Sequence, residues 1–243
     1  MATTSGFDSV SESVASNEMR KPQVVLLKIG LLLAIFLGFL INALMQPRMF
    51  FDVSLMKKIQ AVDIPRVYEV TQFVNRDLTS SRPAVLSWLC LMSVLAVTRW
   101  WSACLTAGLM PAGGIVSEFI SRVLVGRTRP HLDELVRTSV DMEERSFPSG
   151  HVVGAVMFYG LVFVLLRRVR WRLIRITFQT VCIGIIVLVG FGRVWAGAHW
   201  PSDVISAYPL GLALLLALIG VFTWLEGGGL ANLHQQALRH ARF

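Results

Sequence analysis

The chain has 243 residues, 54% hydrophobic and only 16% charged, with 23 Lys and Arg against 15 Asp and Glu, a formal net charge of +8. Soluble domains carry about a quarter of their residues as charged ones, so these figures speak against a soluble enzyme and against a disordered chain. They also speak against a disulfide scaffold: Cys90, Cys104 and Cys182 all lie in apolar stretches with no paired spacing and read as buried small hydrophobes. Residues 1–19, rich in Ser and Thr, read as a disordered cytoplasmic tail. The following apolar run is too long for a cleavable signal and no A-x-A-like site follows it, so it is expected to stay as a membrane anchor.

A hydrocarbon core of about 30 Å takes about 20 apolar residues of helix. Six segments qualify as candidates: 24–45, 83–98, 100–120, 147–166, 176–192 and 204–225. The expected fold is therefore all-α, an integral membrane bundle of six transmembrane helices in one domain over 20–226, with a short cytoplasmic tail at 227–243. The second and third segments adjoin at Arg99, which demands a tight turn. The connection 46–82 mixes apolar and charged residues and is expected to hold helices lying along the surface. The loop 167–175 carries Arg167, Arg168, Arg170, Arg172 and Arg175 and no acid.

Six spans place both termini, Arg99 and the 167–175 loop on one side. Lys and Arg divide eleven to twelve between the sides, so the raw count does not orient the chain. The short all-basic loop does, and it puts that side and both termini in the cytoplasm. The expected location is the plasma (inner) membrane, multi-pass, with the lipid bilayer as surroundings. Nucleic acid is not an expected partner, because the basic residues are split between two membrane faces.

On the opposite side three polar clusters fall at span ends. Arg122-Val-Leu-Val-Gly-Arg127-Thr-Arg129-Pro130 closes the third span, Pro148-Ser149-Gly150-His151 opens the fourth, and Gly192-Arg193 through His199 to Asp203 links the fifth to the sixth. Arginine binds phosphate oxygens with a planar fork of donors and stays charged. Ser149 reads as a helix N-cap, and the free N–H groups and positive dipole at such a start suit an anion. His151 beside it is placed to protonate a leaving oxygen. Asp203, four residues after His199, is expected one helical turn away, holding one imidazole nitrogen and freeing the other as a nucleophile. Arg127 reads as a rim charge. Taken singly, headgroup anchoring, a plain cap or a dipole-stabilising acid would explain each residue; three clusters on one face make a site.

The three clusters resemble the signature of the type 2 phosphatidic acid phosphatase (PAP2) family: Lys, six residues, Arg-Pro; then Pro-Ser-Gly-His; then Ser-Arg, five residues, His, three residues, Asp. The second matches in full and the others keep their spacing, with Arg122 in place of Lys and Gly192 in place of Ser. The resemblance implies a PAP2/haloperoxidase-like bundle whose substrate is a membrane lipid phosphate or diphosphate, of the phosphatidic acid, phosphatidylglycerophosphate or polyprenyl diphosphate type. It implies that His199 attacks phosphorus, Asp203 holds the imidazole and His151 protonates the leaving group, while Arg122, Arg129, Ser149, Gly150 and Arg193 hold the phosphate. No metal and no cofactor is expected. Two other readings compete: a phosphotransferase using the same site, shaped by the 131–147 loop (His131, Asp133, Glu134, Asp141, Glu143, Glu144), and a six-span transporter without catalysis.

Overall fold

The computed structural model describes residues 22–62, 65–130 and 146–228, and their regular elements are helices. The tails expected at 1–19 and 227–243 lie outside the described residues except for Gly227 and Gly228, as does most of the 131–147 loop. In chain order the elements are α1 Pro22–Met45, α2 Asp52–Gln60 and α3 Pro65–Gln72, which widens into a π-helical segment Phe73–Leu78. Next come α4 Ser81–Val97, α5 Trp101–Gly108 and α6 Pro111–Phe119, the last widening into a π-helical segment Ile120–Val125. The chain closes with α7 Gly150–Leu165, α8 Arg172–Trp195 and α9 Pro201–Glu226.

Among the described residues five helical stretches are long and apolar enough to cross a membrane: Pro22–Met45, Trp101–Val125, Gly150–Arg168, Arg172–Trp195 and Pro201–Glu226. The expected second span is the exception. Helix α4 has 17 residues, about 25 Å at 1.5 Å per residue and short of the hydrocarbon thickness. It passes the same test only together with Glu69–Arg76, which meets it at a bend of 67°. Among the described residues there are thus five candidate spans, or six if that broken pair is counted as one. The connection 46–82 does hold helices, α2 and α3, and α2 buries Asp52, Met56 and Gln60 rather than lying wholly on the surface.

Burial shows which helix is central. Of α9's most apolar window 56% is buried, against 6% for α1 and 17% for α8. Helix α9 packs against α1 and α7, and α7 against α8. The outer helices expose Leu27, Leu31, Leu37, Leu173, Phe178 and Val187, an apolar surface that water would not tolerate and that acyl chains solvate. Side-chain bonds to main-chain carbonyls tie neighbours together: Tyr208 Oη donates to Ile186 (3.2 Å), Gln179 Nε2 to Phe163 (3.1 Å) and Trp88 Nε1 to Ala107 (2.9 Å). Phe36 of α1 stacks on Phe147 with ring centroids 5.8 Å apart, holding the segment that enters α7.

The two ends of the bundle differ in kind. At one end the Arg99 turn is as tight as the adjoining spans required, with φ at +57° and the Trp100 N–H donating to Leu95. Beside it Glu226 accepts hydrogen bonds from Trp100 Nε1, Ser102 and Arg168, whose guanidinium sits 4.0 Å over the Trp100 ring. Arg99, Arg168 and the end of α9 therefore share a face. The other end gathers the starts of α7 and α9, the finish of α8 and the finish of the Trp101–Val125 span, where the three polar clusters lie.

Candidate active site

The site is built around a turn. After Trp195 ends α8, the carbonyl of Arg193 accepts from the N–H groups of both Ala198 (3.0 Å) and His199 (3.2 Å), curling the chain so that His199 points inward. Its side chain is buried, and Nδ1 lies 2.7 Å from the carbonyl oxygen of Ser146. A carbonyl can only accept, so Nδ1 carries the proton and Nε2 keeps its lone pair. Burial, the charges of Arg193 and Arg129, and His151 together hold the His199 pKa well below the ordinary histidine value, while the Ser146 carbonyl pulls weakly the other way. The imidazole is neutral, with one nitrogen fixed as donor and the other available.

Asp203 does not take the place its spacing suggested. His199 precedes Trp200, the N-cap residue of α9, so it stands outside the helix and the four-residue repeat does not apply. The fully buried Asp203 carboxylate instead accepts from the Trp200 N–H (2.9 Å), half of a capping box. It also accepts from the Ser146 hydroxyl and pairs with Arg127 at 2.6 Å. Its connection to His199 runs through Ser146, whose hydroxyl bonds the acid and whose carbonyl bonds the imidazole.

Arg127 is likewise corrected, from rim charge to buried hub. Gly126, at φ +56°, ends the π-helical segment and turns the chain inward at a conformation costly for other residues. The Arg127 guanidinium then meets Asp203, Asp52 (2.9 Å), the Ser202 hydroxyl (2.8 Å) and the Pro47 carbonyl (2.7 Å). Asp52 in turn accepts from Ser202 N (2.9 Å), Ser202 Oγ (2.8 Å) and Met49 N (2.7 Å). Trp200 Nε1 donates to the Thr128 carbonyl at 3.1 Å and pins the strand of chain that carries Arg129.

Around His199 the structure gathers the remaining predicted residues, with one set apart. Ser149 occupies the N-cap of α7, but its hydroxyl makes no capping bond. The Ser149 Oγ and the Arg193 Nε are buried without a hydrogen-bond partner among the described residues, which leaves both able to meet a ligand oxygen. Gly150 and His151 open α7, where helix N–H groups and dipole favour an anion. Arg122 stands apart: it is exposed on the π-helical segment and ion-paired with Glu118 one turn back. An apolar cavity of about 500 Å³, lined by Leu78, Trp88, Met110, Met157, Phe158 and, at its polar end, Gly150, His151 and Glu118, opens beside the site between α4, α6 and α7. Among the described residues no three His, Cys, Asp or Glu side chains are arranged to hold a metal ion.

No motif or spacing in the sequence marks Asp52, Ser146 or Ser202 as part of the site. Arg127 and its acidic partners are 75 and 76 residues apart, so no local spacing links them. Gly192 gains a reason. A Cβ there would stand 2.0 Å from Asn75 Nδ2 and 2.4 Å from Thr71 Cγ2, so the π-helical segment after α3 fills the volume that a serine would need. Asn75 is held in that position by donating to the Thr71 carbonyl at 2.9 Å.

Residues 99–226 match the sequence model of the PAP2 superfamily. Undecaprenyl-diphosphatase BcrC of Bacillus subtilis is 30% identical over 104 residues, 42% of this chain and 49% of that protein. Phosphatidylglycerophosphatase B of the same organism is 32% identical over 108 residues, 44% of this chain and 49% of that one. The chain spans about half the length of these curated relatives. The crystal structure of a transmembrane PAP2-type phosphatidylglycerolphosphate phosphatase from Bacillus subtilis shares the fold, with a TM-score of 0.60 at 24% identity, covering 78% of this chain and 94% of that one.

Two outcomes follow from this geometry. Gly192→Ser should lower stability by about 1–3 kcal/mol through overpacking, and adding Asn75→Ala with Thr71→Ser should recover most of it, as thermal unfolding in detergent would show. In an NMR titration, the depressed His199 pKa keeps the ring neutral as pH falls to about 6.5, the ordinary midpoint, and protonation sets in only below it. A midpoint at or above the ordinary value would contradict the electrostatics described.

Proposed function

With the family's sequence model covering more than half of its length, the chain belongs to the PAP2 superfamily, and on that premise we propose that it is a membrane phosphatase of lipid phosphates or diphosphates. The observation that carries the proposal is His199: buried, neutral, fixed as the Nδ1–H tautomer, and surrounded by the charges of Arg129 and Arg193. A neutral imidazole with a directed lone pair is a nucleophile, and the guanidinia are electrophilic partners for phosphate oxygens.

In this reading His199 Nε2 attacks phosphorus while the bond to the leaving oxygen breaks, and His151 gives that oxygen its proton. Water then attacks the phosphohistidine, passing a proton to His151 and releasing phosphate and free His199. Arg129, Arg193, the Ser149 hydroxyl and the start of α7 hold the phosphate oxygens as charge builds on them. Arg122 would join them by leaving Glu118. The fixed cations supply the positive charge, and no metal enters the scheme. The lipid tail would lie in the apolar cavity between α4, α6 and α7, with its head at His151. The relatives named above act on undecaprenyl diphosphate and on phosphatidylglycerophosphate by their names, and we place the substrate of this chain in that class. With the 167–175 arginines in the cytoplasm, the site faces the outer side of the plasma membrane.

Purified protein should release phosphate from phosphatidic acid, phosphatidylglycerophosphate or a polyprenyl diphosphate, with EDTA present. His199→Ala should cost at least about a thousandfold, as loss of a nucleophile does. Arg193→Ala should cost more than Arg122→Ala, whose guanidinium is exposed and paired elsewhere. Release of phosphate at wild-type rate by His199→Ala would refute the mechanism, and transfer of labelled phosphate to an added alcohol in preference to water would make the chain a phosphotransferase.

A further inference from the structure

We propose that Ser146 is a positioning residue through which Asp203 governs His199, an assignment that rests on His199 being the nucleophile. Ser146 is fully buried and every polar group it has is committed. Its N–H donates to the Arg127 carbonyl at 2.9 Å, its carbonyl accepts from His199 Nδ1 at 2.7 Å, and its hydroxyl donates to Asp203 Oδ2. The acid therefore clamps the residue that clamps the imidazole.

Two anchors aim the Ser146 carbonyl, one on the main chain of Arg127 and one on the Asp203 carboxylate. Both anchors belong to the same buried ion pair, since Arg127 Nη1 meets Asp203 Oδ1. The Asp203 carboxylate is in turn fixed by the Trp200 N–H and so by the start of α9. When His199 forms its bond to phosphorus the ring becomes cationic, and the carbonyl dipole with the carboxylate behind it faces that charge. Without the hydroxyl, the peptide at 146 keeps one anchor, and the ring loses the firm acceptor that selects its tautomer. Asp203 would still cap α9 and pair with Arg127, but it would no longer reach His199.

The test uses the full chain in detergent micelles, with whichever lipid of the panel above the wild type hydrolyses. Ser146→Ala should lower kcat about 10- to 100-fold, the usual loss when a supporting partner is removed, with KM little changed because the phosphate-holding residues remain. Ser146→Thr, which keeps the hydroxyl, should restore most of the rate. In a double-mutant cycle Ser146→Ala should lower kcat much less in an Asp203→Asn background than in wild type, since the Ser146 hydroxyl acts on His199 only through the Asp203 carboxylate. Nitrogen NMR of the His199 ring should show the Nδ1–H tautomer in wild type and Ser146→Thr and mixed tautomers in Ser146→Ala. A wild-type kcat for Ser146→Ala, additive losses, or an unaltered tautomer would overturn the assignment while leaving an inactive His199→Ala as support for the nucleophile. An active His199→Ala would bring down the nucleophile and this assignment with it.

Discussion

The Arg127 guanidinium, closed off from solvent between Asp52 and Asp203, is the interaction on which the rest of the site depends. Three segments far apart in the chain meet on it: the entry to α2, the turn after the Trp101–Val125 span, and the start of α9. Removing one member of a buried ion pair costs about 3–5 kcal/mol, because the charge left behind has no solvent. The desolvation cost of burying these charges is offset by saturation: Arg127 has carboxylate, hydroxyl and carbonyl acceptors, and Asp52 and Asp203 also receive main-chain N–H groups. Such a knot contributes little catalysis by itself. It sets where Trp200, Ser146 and hence His199 stand.

The surroundings divide the remaining tasks. The helices α1 and α8 expose apolar outer surfaces, whereas α9 is buried and supplies Asp203, Ser202 and the start of the site. The candidate site lies at helix ends, where N–H groups and side chains can face a ligand without breaking a helix inside the bilayer. The opposite end of the bundle uses its charges differently, locking Trp100, Arg168 and Glu226 together.

Much of this is legible in the amino-acid sequence. The spans are local signals, long apolar runs that nothing but a bilayer accommodates, and only α4 falls short because its length is completed by a neighbour across a bend. The convergence of Arg129, Ser149, Gly150, His151, Arg193 and His199 follows from alternating helices sharing a face. What escaped was the support beneath them. Arg127 gives no periodic sign of its depth, and Asp52 and Ser146 lie in connections where no repeat connects them to their partners. The four-residue spacing of His199 and Asp203 does not bring them into contact, because the helical interval does not hold across an N-cap, where the chain is extended at Trp200.

The central claim is that a neutral, tautomer-fixed His199 forms a bond to phosphorus. Rapid quenching of the protein with lipid labelled in its phosphate, followed by peptide mapping, tests it most directly. The account predicts an acid-labile, base-stable phosphoryl group on His199, formed and lost within the turnover time and absent from His199→Ala. Turnover of the labelled lipid with no phosphoryl-protein at any quench time, or label on another residue, would contradict it.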